Sequence, residues 1–104
     1  SEAVLAAARE HGGAIAGARA TDTVKLTRGS RIVRTLDRRD IRLAQTPQVF
    51  RTAELKEALA SCEREHREVT DEAQAMERAG GPVAVVEPAA PNLKINTEAD
   101  WRYV

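Results

Sequence analysis

Two short segments of this chain are apolar almost throughout and show no alternation: Gly13 to Ala18 (GAIAGA) and Pro82 to Glu87 (PVAVVE). A strand with one wet face alternates between apolar and polar residues, whereas an unbroken apolar run is covered on both faces. Between the two runs lie helical patterns. Leu55, Ala58, Leu59 and Cys62 recur at helical spacing, and so do Ala73, Met76 and Ala79. Doubly covered strands interleaved with amphipathic helices predict an α/β fold with a largely parallel sheet.

Local signals set the expected order of elements. Ser1 caps a helix to Arg9, with Val4, Leu5 and Ala8 on its apolar face and Gly12–Gly13 as its stop. Val24 to Leu26 and Ile32 to Leu36 alternate around Thr27-Arg28-Gly29-Ser30-Arg31, a hairpin signal. Its outward positions and flank carry Lys25, Arg28, Arg31, Arg34, Arg38 and Arg39. An isolated two-stranded ribbon is marginal in water, so this one needs another surface, such as a second subunit. Ile41 to Ala44 predicts a further strand, which Pro47 closes. Thr52 then caps a helix reaching about His66. Asp71 with Gln74 forms a capping box for the next helix, which Gly80-Gly81 ends. After the loop from Pro88 to Pro91, Thr97 with Asp100 starts a last helix.

Composition excludes several function classes. The 104 residues allow one domain, and sixteen basic side chains balance sixteen acidic ones. A general nucleic-acid binder is expected to be clearly basic. No apolar run approaches the roughly 18 residues of a membrane span. The single cysteine, Cys62, excludes an intrachain disulfide and fits a reducing, cytoplasmic setting. Cys62 lies on an apolar helical stripe and reads as a structural thiol. His11 and His66 are far apart and lack carboxylates at ligand spacing, so neither reads as a metal ligand. There is no P-loop and no dinucleotide fingerprint. The chain starts at Ser1 with helix-like sequence and stops soon after a helix start, so both ends read as cut from something longer.

What remains is polar residues at predicted strand ends and helix starts: Asp22, Thr23 and Lys25; Asp37 and Arg38; Gln45 and Thr46; Thr70 and Asp71; Asn92 and Lys94. Ligands of open α/β sheets bind beyond the carboxyl ends of strands. Threonine hydroxyls, a helix start, an arginine and a lysine there suit an anionic ligand, most simply a phosphate. Each member also has a plainer role. Thr70 and Asp71 serve as helix caps, Lys94 as a solvated loop lysine, Arg38 as a partner of Asp37 or Asp40, and the basic ribbon as a protected edge.

The series DTVK (22–25), TLDR (35–38), QTPQVF (45–50), TDEA (70–73) and NLKI (92–95) strongly resembles, in order and spacing, the carboxyl-terminal half of 2-C-methyl-D-erythritol 4-phosphate cytidylyltransferase. The resemblance implies a Rossmann-like nucleotidyltransferase fold, present here in part, with residues 1–104 as the carboxyl-terminal part of one domain. A β-arm at about residues 20–40 would hook onto the partner of a homodimer. It implies CMP transfer from CTP, with Mg2+, to the sugar-alcohol phosphate, with release of pyrophosphate, in isoprenoid precursor synthesis. Lys94 would act at the reaction centre. Thr46 and Thr70 would bind the sugar-alcohol phosphate, and Thr23 and Arg38 would reach the neighbouring subunit's site. Asn96 stands where the family usually has Thr, at a peripheral position. The family's Gly-rich nucleotide loop is absent from this sequence, so the chain alone is expected to be inactive. The alternatives are a pentitol-phosphate (ribitol 5-phosphate) cytidylyltransferase and a non-catalytic dimerisation module. No membrane or nucleic-acid partner is expected.

Overall fold

A computed structural model describes residues 2–88 and 99–104. In chain order the elements are α1 (Glu2–His11), β1 (Gly13–Arg19), β2 (Val24–Arg28), β3 (Arg31–Leu36), a 3-10 turn (Arg38–Asp40), β4 (Arg42–Arg51), α2 (Thr52–Arg64), α3 (Glu72–Arg78), β5 (Ala84–Val86) and β6 (Trp101–Tyr103). The main sheet has the order β5-β1-β4-β6, and β2 and β3 form a separate two-stranded sheet.

β1 explains the layering. Its Ala14 and Ala16 face α1, in a cluster with Val4, Ala8, Val49 and Trp101. Ile15 points the other way, into a cluster with Phe50, Leu55, Ala58, Cys62, Ala73, Ala75 and Met76 from β4, α2 and α3. GAIAGA is therefore covered on both faces, as its lack of alternation requires. Small residues let the layers close in. A Cβ placed on Gly17 would lie 2.5 Å from Val85 Cγ1, so a side chain there collides with β5.

Among the described strands the parallel character is confined to β1 with β5, while β4 runs antiparallel to both β1 and β6. β5 is an edge. Ala84 and Val86 pack towards α1, but Val85 is 47% exposed, so the expected cover on both faces of PVAVVE is partial.

Three further expectations are corrected. β4 does not stop at Pro47 but continues to Arg51. Ile15 pairs with Gln48 and Ala16 with Gln45, so Thr46 and Pro47 bulge out and the ladder resumes beyond them. A proline inside a sheet is tolerated at such a bulge, because no ladder donor is needed there. The Thr46-Pro47 peptide is cis. The helix expected from Thr97 is not formed by Trp101–Tyr103, which are β6 against β4. The open edge of β4 offers backbone groups that override a weak capping signal, and Trp101 is buried with Arg51 stacked over its ring at 4.7 Å. Finally, Ala75 takes the buried place expected of Ala79, which is exposed.

Smaller boundary shifts have local causes. Thr52 is the first residue of α2 rather than its cap, which is Arg51 without a side-chain bond. His66 has φ 56°, and Arg67 N–H donates to Cys62 O at 2.9 Å, closing α2 before His66. Gly80 (φ 81°) ends α3 in the same manner, with Gly81 N–H on Met76 O at 2.9 Å. No described helix is long and apolar enough to cross a membrane.

Candidate functional site

The QTPQ segment places Thr46 by geometry rather than by burial. Gln48 is only 8% exposed, and its side-chain nitrogen donates to Gln45 O at 3.4 Å, across the two bulged residues. Gln48 is pinned again at its backbone, which exchanges bonds with Val104 at 3.0 and 2.8 Å. The bulge thus stands on a fixed base and leaves Thr46 exposed.

Thr70 lies just before α3. Asp71 caps that helix by accepting from Gln74 N–H at 2.7 Å. The expected box does not close on Asp71. Gln74 Oε1 instead accepts from Thr70 N–H at 2.6 Å and from the Thr70 hydroxyl at 3.3 Å. A cleft of about 420 Å³ is lined by Thr70, Asp71, Gln74, Glu77 and Arg78. Of the expected substrate-binding residues, all of them described, Thr70 is in that lining and Thr23, Arg38 and Thr46 are not. Gln74, Glu77 and Arg78 were not legible in the sequence as cleft residues. The available signal was the capping-box position of Gln74, whose side chain reaches back past the Asp71 cap.

Thr23 and Arg38 flank the base of the ribbon in sequence, where Val24 pairs with Leu36. Arg38 Nη1 donates to Thr21 O at 2.5 Å. The carboxylate considered as its partner is taken by a neighbour: Arg39 chelates Asp37, with Nη2 to Oδ2 at 2.7 Å and backbone N–H to Oδ1 at 3.0 Å. Those bonds from Arg39 hold the Asp37 carboxyl below its ordinary range. Lys25 donates to the Thr35 hydroxyl at 2.7 Å across the ribbon. Both faces of the ribbon are wet, and Leu26, Ile32 and Val33 are 41%, 63% and 52% exposed. Lys94 and Asn92 lie outside the described residues.

The described residues form no cluster of three or more His, Cys, Asp or Glu side chains able to hold a metal. Cys62 is buried, with Sγ 4.0 Å from Ala75 O.

The family model for "IspD: 2-C-methyl-D-erythritol 4-phosphate cytidylyltransferase" matches residues 1–103. The chain belongs to this cytidylyltransferase family. The enzyme of that name from Rubrobacter xylanophilus is 42% identical over 88 residues, covering 85% of this chain and 38% of the relative. The bifunctional enzyme IspD/IspF of Anaeromyxobacter dehalogenans is 43% identical, covering 95% of this chain and 27% of its own length. The crystal structure of the cytidylyltransferase from Thermus thermophilus superposes with a TM-score of 0.71 at 40% identity, over 93% of this chain and 48% of that one. The mixed α/β architecture is thus the Rossmann-like nucleotidyltransferase fold of these structures. The chain spans about two-fifths of the length of the Rubrobacter relative and about half of the Thermus structure.

Proposed function

We propose that this chain supplies the sugar-alcohol-phosphate side of a cytidylyltransferase that joins CMP from CTP to 2-C-methyl-D-erythritol 4-phosphate and releases pyrophosphate. The observation that carries the reading is the family match across residues 1–103. None of the relatives named above carries a pentitol phosphate in its name.

The chemistry asks little acid–base work of the protein. A phosphate monoester, with its second pKa near 6, is largely dianionic at neutral pH and attacks the α-phosphorus of CTP without a general base. Catalysis then rests on alignment and on neutralising negative charge. Thr46, fixed on its bulge, and Thr70, at the cleft, bind the acceptor. Lys94 bears on the reacting phosphate. Thr23 and Arg38 serve the active site of a second copy, reached through the ribbon. Its exposed Leu26, Ile32 and Val33 support a homodimer, because apolar side chains on a thin ribbon gain by being covered. Magnesium belongs with the nucleotide phosphates, which it usually binds together with one or two carboxylates. The described residues do not fit a resident metal site. We place the reaction in the cytoplasm, as isoprenoid precursor synthesis.

The relatives are more than twice as long, so the full-length gene product is the protein to assay. Pyrophosphate release from CTP is expected with methylerythritol phosphate and not with ribitol 5-phosphate. Lys94→Ala is expected to cut kcat and kcat/KM together by at least about a hundredfold with the fold intact. Turnover of ribitol phosphate alone defeats the substrate assignment, and undiminished turnover by Lys94→Ala removes that residue from the site. The 104-residue chain by itself is expected to bind CTP weakly, and micromolar affinity in calorimetry overturns that expectation.

A further inference from the structure

We propose that Gln74 is a positioning residue that turns the Thr70 hydroxyl into a hydrogen-bond acceptor for the polyol chain of the substrate. The inference rests on the cytidylyltransferase reading above.

The orientation of the Gln74 amide is set by its partners. A backbone N–H only donates, so the Gln74 atom 2.6 Å from Thr70 N is the amide oxygen and not its nitrogen. That same oxygen lies 3.3 Å from Thr70 Oγ1. An amide oxygen only accepts, so the Thr70 hydroxyl places its one proton there. The lone pairs of Oγ1 remain for a ligand. A dianionic phosphate brings no proton to such a site, whereas a substrate hydroxyl does. Thr70 in this state therefore selects for the hydroxylated carbon chain, leaving the phosphate to the cationic residues.

The arrangement is held from below. Asp71 Oδ1 accepts from Gln74 N–H at 2.7 Å, so the residue that orients Thr70 is itself fixed in the first turn of α3. Glu77 and Arg78 add an acceptor and a donor along the cleft lining. Mixed donors and acceptors suit a polyol, whose hydroxyls act as both.

The test uses the full-length enzyme and steady-state kinetics with methylerythritol phosphate and CTP. Gln74→Met keeps length and removes the amide. Gln74→Asn keeps the amide and cannot reach Thr70. Both are expected to raise KM for methylerythritol phosphate about three- to tenfold, with KM for CTP and kcat within twofold of wild type. In a Thr70→Val background neither should add more than about twofold, because the hydroxyl through which Gln74 acts is gone. An unchanged KM in both variants overturns the proposal. An effect in only one of them, or effects that multiply in the double variants, overturns it as well, since size, polarity or a direct contact is then responsible. A shift confined to melting temperature reduces Gln74 to a helix cap. Wild-type enzyme that fails to turn over CTP with methylerythritol phosphate defeats the cytidylyltransferase reading itself, a result separate from any of these.

Discussion

β1 and the β2–β3 ribbon are both β structure, yet they are built on opposite terms. Residues 13–17 of β1 are all buried, between α1 on one side and α2 with α3 on the other. β2 and β3 have no fully buried residue. In residues 13–17 of β1 neighbouring atoms limit which side chains fit, as Gly17 under Val85 shows. In the ribbon, the backbone pairing alone sets the shape, and the side chains are left for something outside this chain. Residues that contribute little to a fold are the ones available for recognition.

Substitutions can break this contrast. Phe50 is fully buried between β4 and the helices, and Phe50→Ala is expected to cost about 3–5 kcal/mol in denaturant unfolding. A loss below about 1 kcal/mol would mean that the core is not organised around it. Arg38→Ala inverts the pattern. Unfolding is expected to stay within about 0.5 kcal/mol of wild type, while kcat/KM of the full-length enzyme falls about ten- to a hundredfold. Mixed dimers of Arg38→Ala with Lys94→Ala subunits should recover activity, and their failure to do so places Arg38 in its own subunit's site. Asp71→Ala removes the α3 cap and is expected to cost about 1 kcal/mol, seen as a lowered unfolding midpoint. On the ribbon, Ile32→Thr should move monomer stability by less than about 0.5 kcal/mol. Its effect belongs in the concentration dependence of dimerisation, measured by analytical ultracentrifugation.

The smallest effect is electrostatic. Arg39 holds the Asp37 carboxyl below its usual range, so folding is favoured above the ordinary carboxylate pKa near 4. That contribution disappears as pH falls through the lowered native value. Carbon-detected NMR should show the Asp37 midpoint below the ordinary aspartate value, and Arg39→Gln should raise it. The pair is exposed, so salt should weaken the shift.

The contrast also decides what could be read in the chain. GAIAGA, the TRGSR hairpin and the α2 stripe were legible because each carries its own period or turn chemistry. β6 was not. Thr97 with Asp100 looks like a helix start, and only the open edge of β4 explains why Trp101 to Tyr103 extend instead. Pro47 misled for a related reason: a proline closes a strand unless a bulge accepts it, and the bulge depends on pairing with β1. Ala75 and Ala79 are chemically the same, and only the placement of α3 against α2 separates them. For the site, the sequence marked Thr70 and Asp71 but not the turning of Gln74 towards Thr70, because a side chain's choice between two neighbouring donors is settled in three dimensions. Thr23 and Arg38 were named from motif order, and the structure adds that Asp37 is engaged by Arg39.

The pairing of Gly17 with Val85 constrains how this family member can drift. A methyl group at position 17 would meet Val85 Cγ1 at 2.5 Å and Arg42 Cβ at 3.2 Å, so trimming the partly outward-facing Val85 relieves the tighter of the two contacts. Mutational libraries should therefore find position 17 intolerant on its own and tolerant of alanine at most once Val85 is shortened to alanine or glycine. A half-exposed residue would then decide, in selection experiments, what a sealed position can accept.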